Sequence, residues 1–446
     1  MNGHVLTHRV LEPEKTITDP IRQKPRGTVL LLSLLGALSL AGFIAWGRQI
    51  YLGLGVTGLH RPFYWGVYIT DFVFFIGVSH AGTLISSVLR ITDTEWRRPF
   101  TRMAEAVTVF SLPFGVLSVV TDLGRPDRVL NIIRTPHFTS PLVWDIICIS
   151  CYLCTSVIYF YLALLPDIAT CRDQLKDIPA WQRRLYTKLS LGWNGDPVKW
   201  KKLEDTMSVM AVFLFVLVIS VHTNVSFVFL MTLQPGWHTT ILAPYFVLGA
   251  VYSGVAVVIV VAAILRKVYR LEEYITEAHF QKIGKFLLAL AMFWFYFTFI
   301  EFLAVIYGGE LPHVAVLQAK FFGEFSLLFW LMVVFTFAIP FPFLAFGKLR
   351  TIGGLVFACI SINVGMWLER YTVIVPDEAR PRLPFAFPGY RPTLTEALIA
   401  VGFFCTFVLL LTLFARFFPV LTIWEIKEGI EEKAHAEGGG TKSIEG

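Results

Sequence analysis

The chain is 446 residues long, 55% hydrophobic and only 16% charged, with a mean hydropathy of +0.64. That balance excludes the soluble classes before any motif is considered and puts the chain among polytopic membrane proteins. The net charge of +6 is a modest excess whose placement reports topology, and it gives no reason to expect nucleic acid.

Apolar stretches of roughly 20 residues, each able to cross about 30 Å of hydrocarbon as a helix, recur along the chain. Ten are legible, at about 28–51, 63–89, 101–122, 141–165, 206–233, 239–265, 284–308, 321–346, 351–370 and 393–418, numbered here as spans 1 to 10. Alternating strand patterns are missing, so the expectation is an all-α integral membrane protein. A polar tail, 1–27, precedes span 1 where a signal peptide would carry its apolar core. With the N-terminus taken as cytoplasmic, 28 of the 38 Lys and Arg fall on that side. The segment 167–205 is the biggest single contributor. The positive-inside rule then makes both termini cytoplasmic and the opposite face outer.

The spans divide as one, four, four and one. The expected units are a tail (1–27), a flanking span with its outer loop (28–62), and four-helix bundles at 63–233 and 234–370. An outer loop with the last span (371–418) and a cytoplasmic tail (419–446) complete them. Spans 2 and 6 look alike in outline: Tyr64-Trp-Gly-Val-Tyr68 recurs loosely at Pro244–Tyr252, and Leu89-Arg90 matches Leu265-Arg266. Parallel repeats are a common membrane architecture, although shared oily composition explains the match as well.

On span 2, Tyr64, Tyr68 and Asp71 share one helix face, and Asp71 lies about 10 Å below the outer rim. His80 sits roughly 14 Å further in and on the opposite side. Span 3 carries Glu105, Thr108, Ser111, Gly115, Ser118 and Asp122 in steps of three and four, a polar stripe bent near Pro113. With His80, the residues Glu105, Ser118 and Asp122 could relay protons from the cytoplasm, and interhelical hydrogen bonds explain them equally well.

Between spans 3 and 4 runs Asp122-Leu-Gly-Arg125-Pro-Asp127-Arg128, then Pro136-His137-Phe138 and Trp144-Asp145. Arg125, Asp127 and Arg128 could staple this hairpin. Asp122 stands at a helix C-terminus, where a negative charge opposes the dipole, so it is expected to pair with Arg125 or Arg128. Cys148, Cys151 and Cys154 spell Cys-x-x-Cys-x-x-Cys but drift around an apolar helix without a fourth cysteine, which favours packing over a cluster. Span 5 adds Ser220, His222, Thr223, Asn224 and Ser226. The second bundle is drier, with Glu301, Glu324 and Asn363 as its main polar residues. The 167–205 segment reads as a basic, tryptophan-containing cytoplasmic loop.

An ionisable group inside a bilayer costs several kcal/mol, so it is presumed functional and should face the bundle interior. A quinol suits the outer face: a flat apolar ring flanked by two oxygens that must give up protons. Histidine titrates near neutrality, so His137 could take one proton. A partly desolvated carboxylate at Asp71 or Asp145 could take the other. Tyr64, Tyr68, Phe138 and Trp144 could wall the ring. A haem b needs histidines at matching depth on facing helices. Only His80 and His222 lie deep, so neither haem nor metal is expected on this chain. Nucleotide loops, nucleophile elbows and zinc motifs do not occur.

The Asp122–Arg128 run, Pro136 and Ser140-Pro-Leu-Val-Trp144, together with Tyr64–Tyr68, resemble the signature of the NrfD polysulfide reductase family of membrane quinone-handling subunits. The resemblance covers spans 2 to 9. Ten spans, the amphipathic tail, His137 and Asp145 are further similar to the ActC or ActF subunits of bacterial alternative complex III, leaning to ActC. It implies menaquinol oxidation at the outer face of a bacterial inner membrane, with Tyr68, Asp71, His137 and Asp145 in the pocket and Arg391 beside it. It further implies an ActB-like iron–sulfur partner, an ActF-like homologue and multihaem cytochrome c subunits, which carry the clusters and haem. Asp145 departs from the small residue many relatives have there. Two rivals remain open at this stage, a proton-coupled secondary transporter and a non-catalytic anchor for redox partners.

Overall fold

The computed structural model describes residues 13–22, 27–88, 97–175, 177–380 and 389–430. Residues 1–12, Leu89-Arg90, Lys176 and the glycine-rich tail after 430 lie outside the described residues. Among the described residues nearly everything is helical and no β-strand forms. Ten helices are long and apolar enough to cross a bilayer, so the expected all-α, multi-pass architecture is observed. Spans 1 to 5 are Thr28–Leu52, Val67–Ser86, Arg98–Asp122, Pro141–Gln174 and Pro197–Leu230. Spans 6 to 10 are Leu242–Tyr269, Glu277–Gly308, Ser326–Ala345, Ile352–Glu378 and Leu394–Phe417. An even number of crossings leaves both termini at one end, the basal end; the other is distal.

Three boundaries differ from the sequence reading. Spans 4 and 5 are 34 residues each and run into the expected 167–205 loop, which holds a further helix, Ala180–Leu189. Its Lys- and Arg-rich composition favours helix, so the spans simply continue past the apolar stretch. Residues 311–321, read as loop, form a helix with Pro312 in its first turn. Span 9 does not stop near residue 370. It continues through Pro376 to Glu378, which draws Glu369 and Arg370 into the helix interior, where both are fully buried.

Span 2 is the axis of the molecule. Every residue from Val67 to Thr83 is buried, as expected of a helix apolar on all sides. It packs on spans 3, 6, 9 and 10, and its approach to span 3 is close enough that Gly82 lies against the Ala104 carbonyl and the Thr108 hydroxyl. Spans 1 and 10 pack on one another through Gly42 and Gly402, where a Cβ on either would fall 2.6 Å from the other's Cα. Small residues at such crossings replace the hydrophobic drive that lipid removes.

Buried ion pairs hold the basal end. Arg102 of span 3 reaches Asp167 of span 4 at 2.7 Å, with Glu105 3.9 Å away, and Arg97 meets Glu425 at 3.1 Å. The short helix Pro13–Arg22 docks there by Ile17 and Ile21, and Arg416 donates to the Ile21 carbonyl.

Candidate functional site

The distal end of span 2 gathers a buried polar group. Asp71 is 1% exposed and accepts a 2.7 Å hydrogen bond from the indole of Trp367 on span 9. Trp367 is itself stacked on Tyr371. One turn earlier, the Tyr68 hydroxyl donates to Gln49 of span 1 at 2.5 Å, and Gln49 donates to the Thr121 carbonyl at the end of span 3. Asp122 follows, with Oδ1 buried and unpartnered.

The loop before span 10 roofs this group. Thr393 and Glu396 form a capping box, and Glu396 also accepts from the Gly58 amide (2.8 Å) and the Tyr390 hydroxyl (2.6 Å). Tyr390 in turn accepts from the Val67 amide, which has no partner within its own helix. Its ring lies over Gly66, where any side chain would collide with the phenol. Burial, then the Glu396 charge, pushes the Tyr390 phenol up, so it remains a donor. Glu378 closes the far side by accepting from the Trp65 amide at 3.0 Å.

The residues expected at this site therefore divide. Tyr68, Asp71 and Asp122 come together at the distal end of spans 2 and 3. Tyr64 is 60% exposed, and His137 and Arg391 are exposed as well. Trp144 is half-buried and donates to the Phe138 carbonyl, so it braces its own loop. Asp145 is buried in span 4, its Oδ1 unpartnered, on the side where Cys148 accepts from Asn224 of span 5.

The expected pairing of Asp122 with Arg125 or Arg128 is not made. Arg125 instead grips Asp127 through two bonds of 3.0 and 2.9 Å in the exposed hairpin, which holds the Asp127 carboxyl below its usual range. Arg128 is exposed. The bidentate neighbour two residues away wins because it keeps both charges in water.

The expected relay is only partly assembled. Ser118 donates to the Phe114 carbonyl of its own helix, whereas Thr108 donates across to the Ser79 carbonyl at 2.5 Å. His80 turns away from span 3. Its nitrogens face the Ile76 and Val218 carbonyls at 2.6 and 3.1 Å, and its ring lies 4.2 Å from that of His222. Glu105 is covered by the Arg102–Asp167 pair.

A second buried cluster was not anticipated. Lys320 pairs with Asp377 at 2.7 Å, Thr239 donates to Glu301 at 2.5 Å, and Arg370 pairs with its neighbour Glu369. With Tyr245 and His313, these acids and Lys320 line a small cavity of about 40 Å³. Arg370 reaches over Phe246 at 5.2 Å, in space that Gly249 leaves open. The signal for this cluster was the Glu369-Arg370 pair inside an apolar run. For the distal roof it was the Thr393-x-x-Glu396 box.

The model for the polysulphide reductase, NrfD family matches residues 55–380. The chain belongs to the NrfD family. The membership read from the hairpin is thus borne out, and several curated relatives align over nearly their whole length. A putative membrane subunit of dimethyl sulfoxide reductase from Halobacterium salinarum is 24% identical, covering 92% of this chain and 94% of that protein. An Hdr-like menaquinol oxidoreductase integral membrane subunit from Archaeoglobus fulgidus is 23% identical over 90% and 96%. A probable Ni/Fe-hydrogenase 2 b-type cytochrome subunit from Escherichia coli is 23% identical over 84% and 88%.

The last name raises the question of haem. In this NrfD chain the two deep imidazoles touch, and both His80 nitrogens already face carbonyls, so no macrocycle fits between the rings. Among the described residues no group of three or more His, Cys, Asp or Glu is arranged to hold a metal.

Proposed function

We propose that this NrfD-family chain is the quinol-oxidising membrane subunit of a respiratory or photosynthetic oxidoreductase complex, of the alternative complex III type and ActC-like. The substrate is menaquinol, bound near the distal end. That end is the periplasmic face of a bacterial inner membrane, and both termini are cytoplasmic.

One contrast carries the reading. At the basal end and in the second bundle, most buried acids have basic partners: Asp167 with Arg102, Glu425 with Arg97, Asp377 with Lys320 and Glu369 with Arg370, while Glu301, held by the Thr239 hydroxyl, shares its cavity with Lys320. Around the distal end of span 2, Asp71, Glu378 and Glu396 are held by indole, phenol, hydroxyl and backbone N–H donors, and Asp122 Oδ1 by nothing. A cation beside a buried carboxylate keeps it ionised and committed to that pair. One held by neutral donors stays available to accept a proton.

Oxidation of a quinol releases two electrons and two protons. Asp71 accepts one proton as its hydrogen bond from Trp367 positions the acceptor oxygen, and Asp122 or Glu378 takes the second. His137 and Asp145 would serve outward transfer from the hairpin side. Tyr68 and Trp367 hold the ring, with Tyr64, Trp144 and Arg391 at the mouth. The electrons pass to an ActB-like iron–sulfur subunit, and then to multihaem cytochrome c; an ActF-like homologue completes the membrane part.

Proton translocation is a second part of the proposal, with one observation in its favour. His222 is fully buried with both ring nitrogens unpartnered, in contact with His80 and within the electrostatic reach of Arg370. These residues could join the Glu301–Asp377 cluster to His80, Thr108 and Glu105, a different course from one through Ser118 and Asp122. The test of the main reading is Asp71→Asn in the purified complex. Loss of menaquinol oxidation at least a hundredfold supports it, and turnover within twofold of the unsubstituted complex rejects it.

A further inference from the structure

Spans 6, 9 and 10 enclose a cleft of about 1130 Å³, floored by spans 2 and 3 and met at its base by the start of span 1. Its walls follow span 6 from Val257 to Tyr269 and span 10 from Phe404 to Arg416, roughly 18 Å of helix each. Ile264, Val364 and Val408 in this lining are exposed, so the cleft opens sideways to hydrocarbon. Most of the wall is aliphatic or phenylalanine, and polar side chains stand at both ends. The inner end has Asn363 and Trp367, which donate to the Cys359 carbonyl and to Asp71, and it carries no charge. The basal end has Thr28, Tyr269, Thr412 and Arg416, the last being the one charged residue among the described lining. Lys267 is exposed on the turn after Ile264 and adds a second basic side chain at that end.

We infer that the cleft is the seat of an anionic phospholipid of the basal leaflet, with its phosphate at Arg416 and Lys267 and its acyl chains along spans 6 and 10. The length fits one leaflet. Hydrocarbon is about 30 Å thick, so each leaflet contributes about 15 Å, close to the height of the walls. A partner's membrane-crossing helix would need the full thickness. The charge stands at the end where a headgroup belongs, and its sign selects an anionic head. Tyr269, at the same depth, donates to the Ala415 carbonyl at 3.0 Å and so ties span 6 to span 10 beside that head. Arg416 also donates to the Ile21 carbonyl, which joins the docked helix Pro13–Arg22 to the same corner. Span 10 packs on spans 1, 2 and 3, and the lipid fills the space that separates it from spans 6 and 9. The site is independent of the quinol reading.

The test uses the intact complex in phosphatidylcholine vesicles doped with a photoactivatable probe. The probe is phosphatidylglycerol or phosphatidylcholine with a diazirine on one acyl chain. Phosphatidylglycerol should label the span 6 and span 10 wall peptides in preference to phosphatidylcholine by about tenfold or more, each basic residue near an anionic head being worth about fivefold. Arg416→Gln should lower that preference about fivefold. The exposed face of span 7, at Phe293 and Tyr296, should show no preference in either complex. Wall peptides that stay unlabelled, as when a quinone or another subunit fills the cleft, overturn the proposal. Equal labelling by the two probes, or the same preference on span 7, also overturns it. Should Arg416→Gln fail to assemble, the exposed Lys267→Gln takes its place with the same expected drop, and an unchanged preference overturns the headgroup assignment.

Discussion

Trp367→Phe is the sharpest test of how Asp71 is held. The substitution keeps an aromatic ring that can still lie on Tyr371, whose centroid is 5.9 Å away at an interplanar angle of 22°. It removes the N–H that donates to Asp71 at 2.7 Å. A hydrogen bond to a charged group contributes about 1.5–3 kcal/mol, and here it orients the oxygen that receives the proton. If that orientation is used in the transition state, kcat/KM for menaquinol should fall by about tenfold to a hundredfold. The assay is steady-state quinol oxidation by the purified complex, with assembly checked by subunit content and thermal unfolding. In a cycle with Asp71→Asn the two losses should be strongly non-additive, because the indole has nothing left to orient. A Trp367→Phe complex that assembles normally and keeps kcat/KM within twofold would refute the assignment of Asp71 as the positioned acceptor.

Two further outcomes follow from the packing and the hairpin. Gly402→Val places branched carbon where a Cβ already falls 2.6 Å from the Gly42 backbone, so spans 1 and 10 should separate. The expected cost is about 1–3 kcal/mol, read as a lower unfolding temperature in detergent. The Arg125–Asp127 pair is fully exposed, and its carboxyl sits below the ordinary range because Arg125 hydrogen-bonds it. Its contribution is thus present above the ordinary carboxylate pKa and is lost as pH falls through the lowered one, so carboxyl resonances of a labelled hairpin should titrate below about pH 4.

Much of the fold was legible because hydrocarbon demands a length and a composition that no other environment does. All ten spans were found this way, and the family signature at Asp122–Asp145 pointed to the correct lineage. The misreadings share a cause. Glu369 and Arg370 were taken as the end of span 9 because charge ordinarily marks an interface, yet a neighbouring ion pair lets a helix carry both inward to Glu378. Asp71 was legible as a lone acid in an apolar run. Trp367 and Gln49 were not, since the contacts that give them meaning cross 296 and 72 residues of chain and need the packed helices. His137 drew attention by residue type and nearby prolines, but the structure leaves it exposed on the loop.

The division of acids into cation-paired and neutrally held groups makes a prediction that a pure anchor would not satisfy. Asp167→Asn removes the carboxylate that Arg102 hydrogen-bonds and leaves the buried guanidinium with only Glu105, 3.9 Å away, as a charge partner, which should cost up to about 3 kcal/mol and lower the unfolding temperature. Complexes that still assemble should turn over quinol normally, because Asp167 lies at the basal end. Asp71→Asn should do the reverse. A neutral amide can still accept from Trp367 and no longer bears the desolvation of an unpaired ion, so stability should hold or rise while quinol oxidation disappears. Both variants are single-atom changes in oxygen and nitrogen with the same shape. Opposite effects on stability and rate would therefore assign the two acids different work, whereas a parallel loss in both would mean that the distal carboxylates are structural after all.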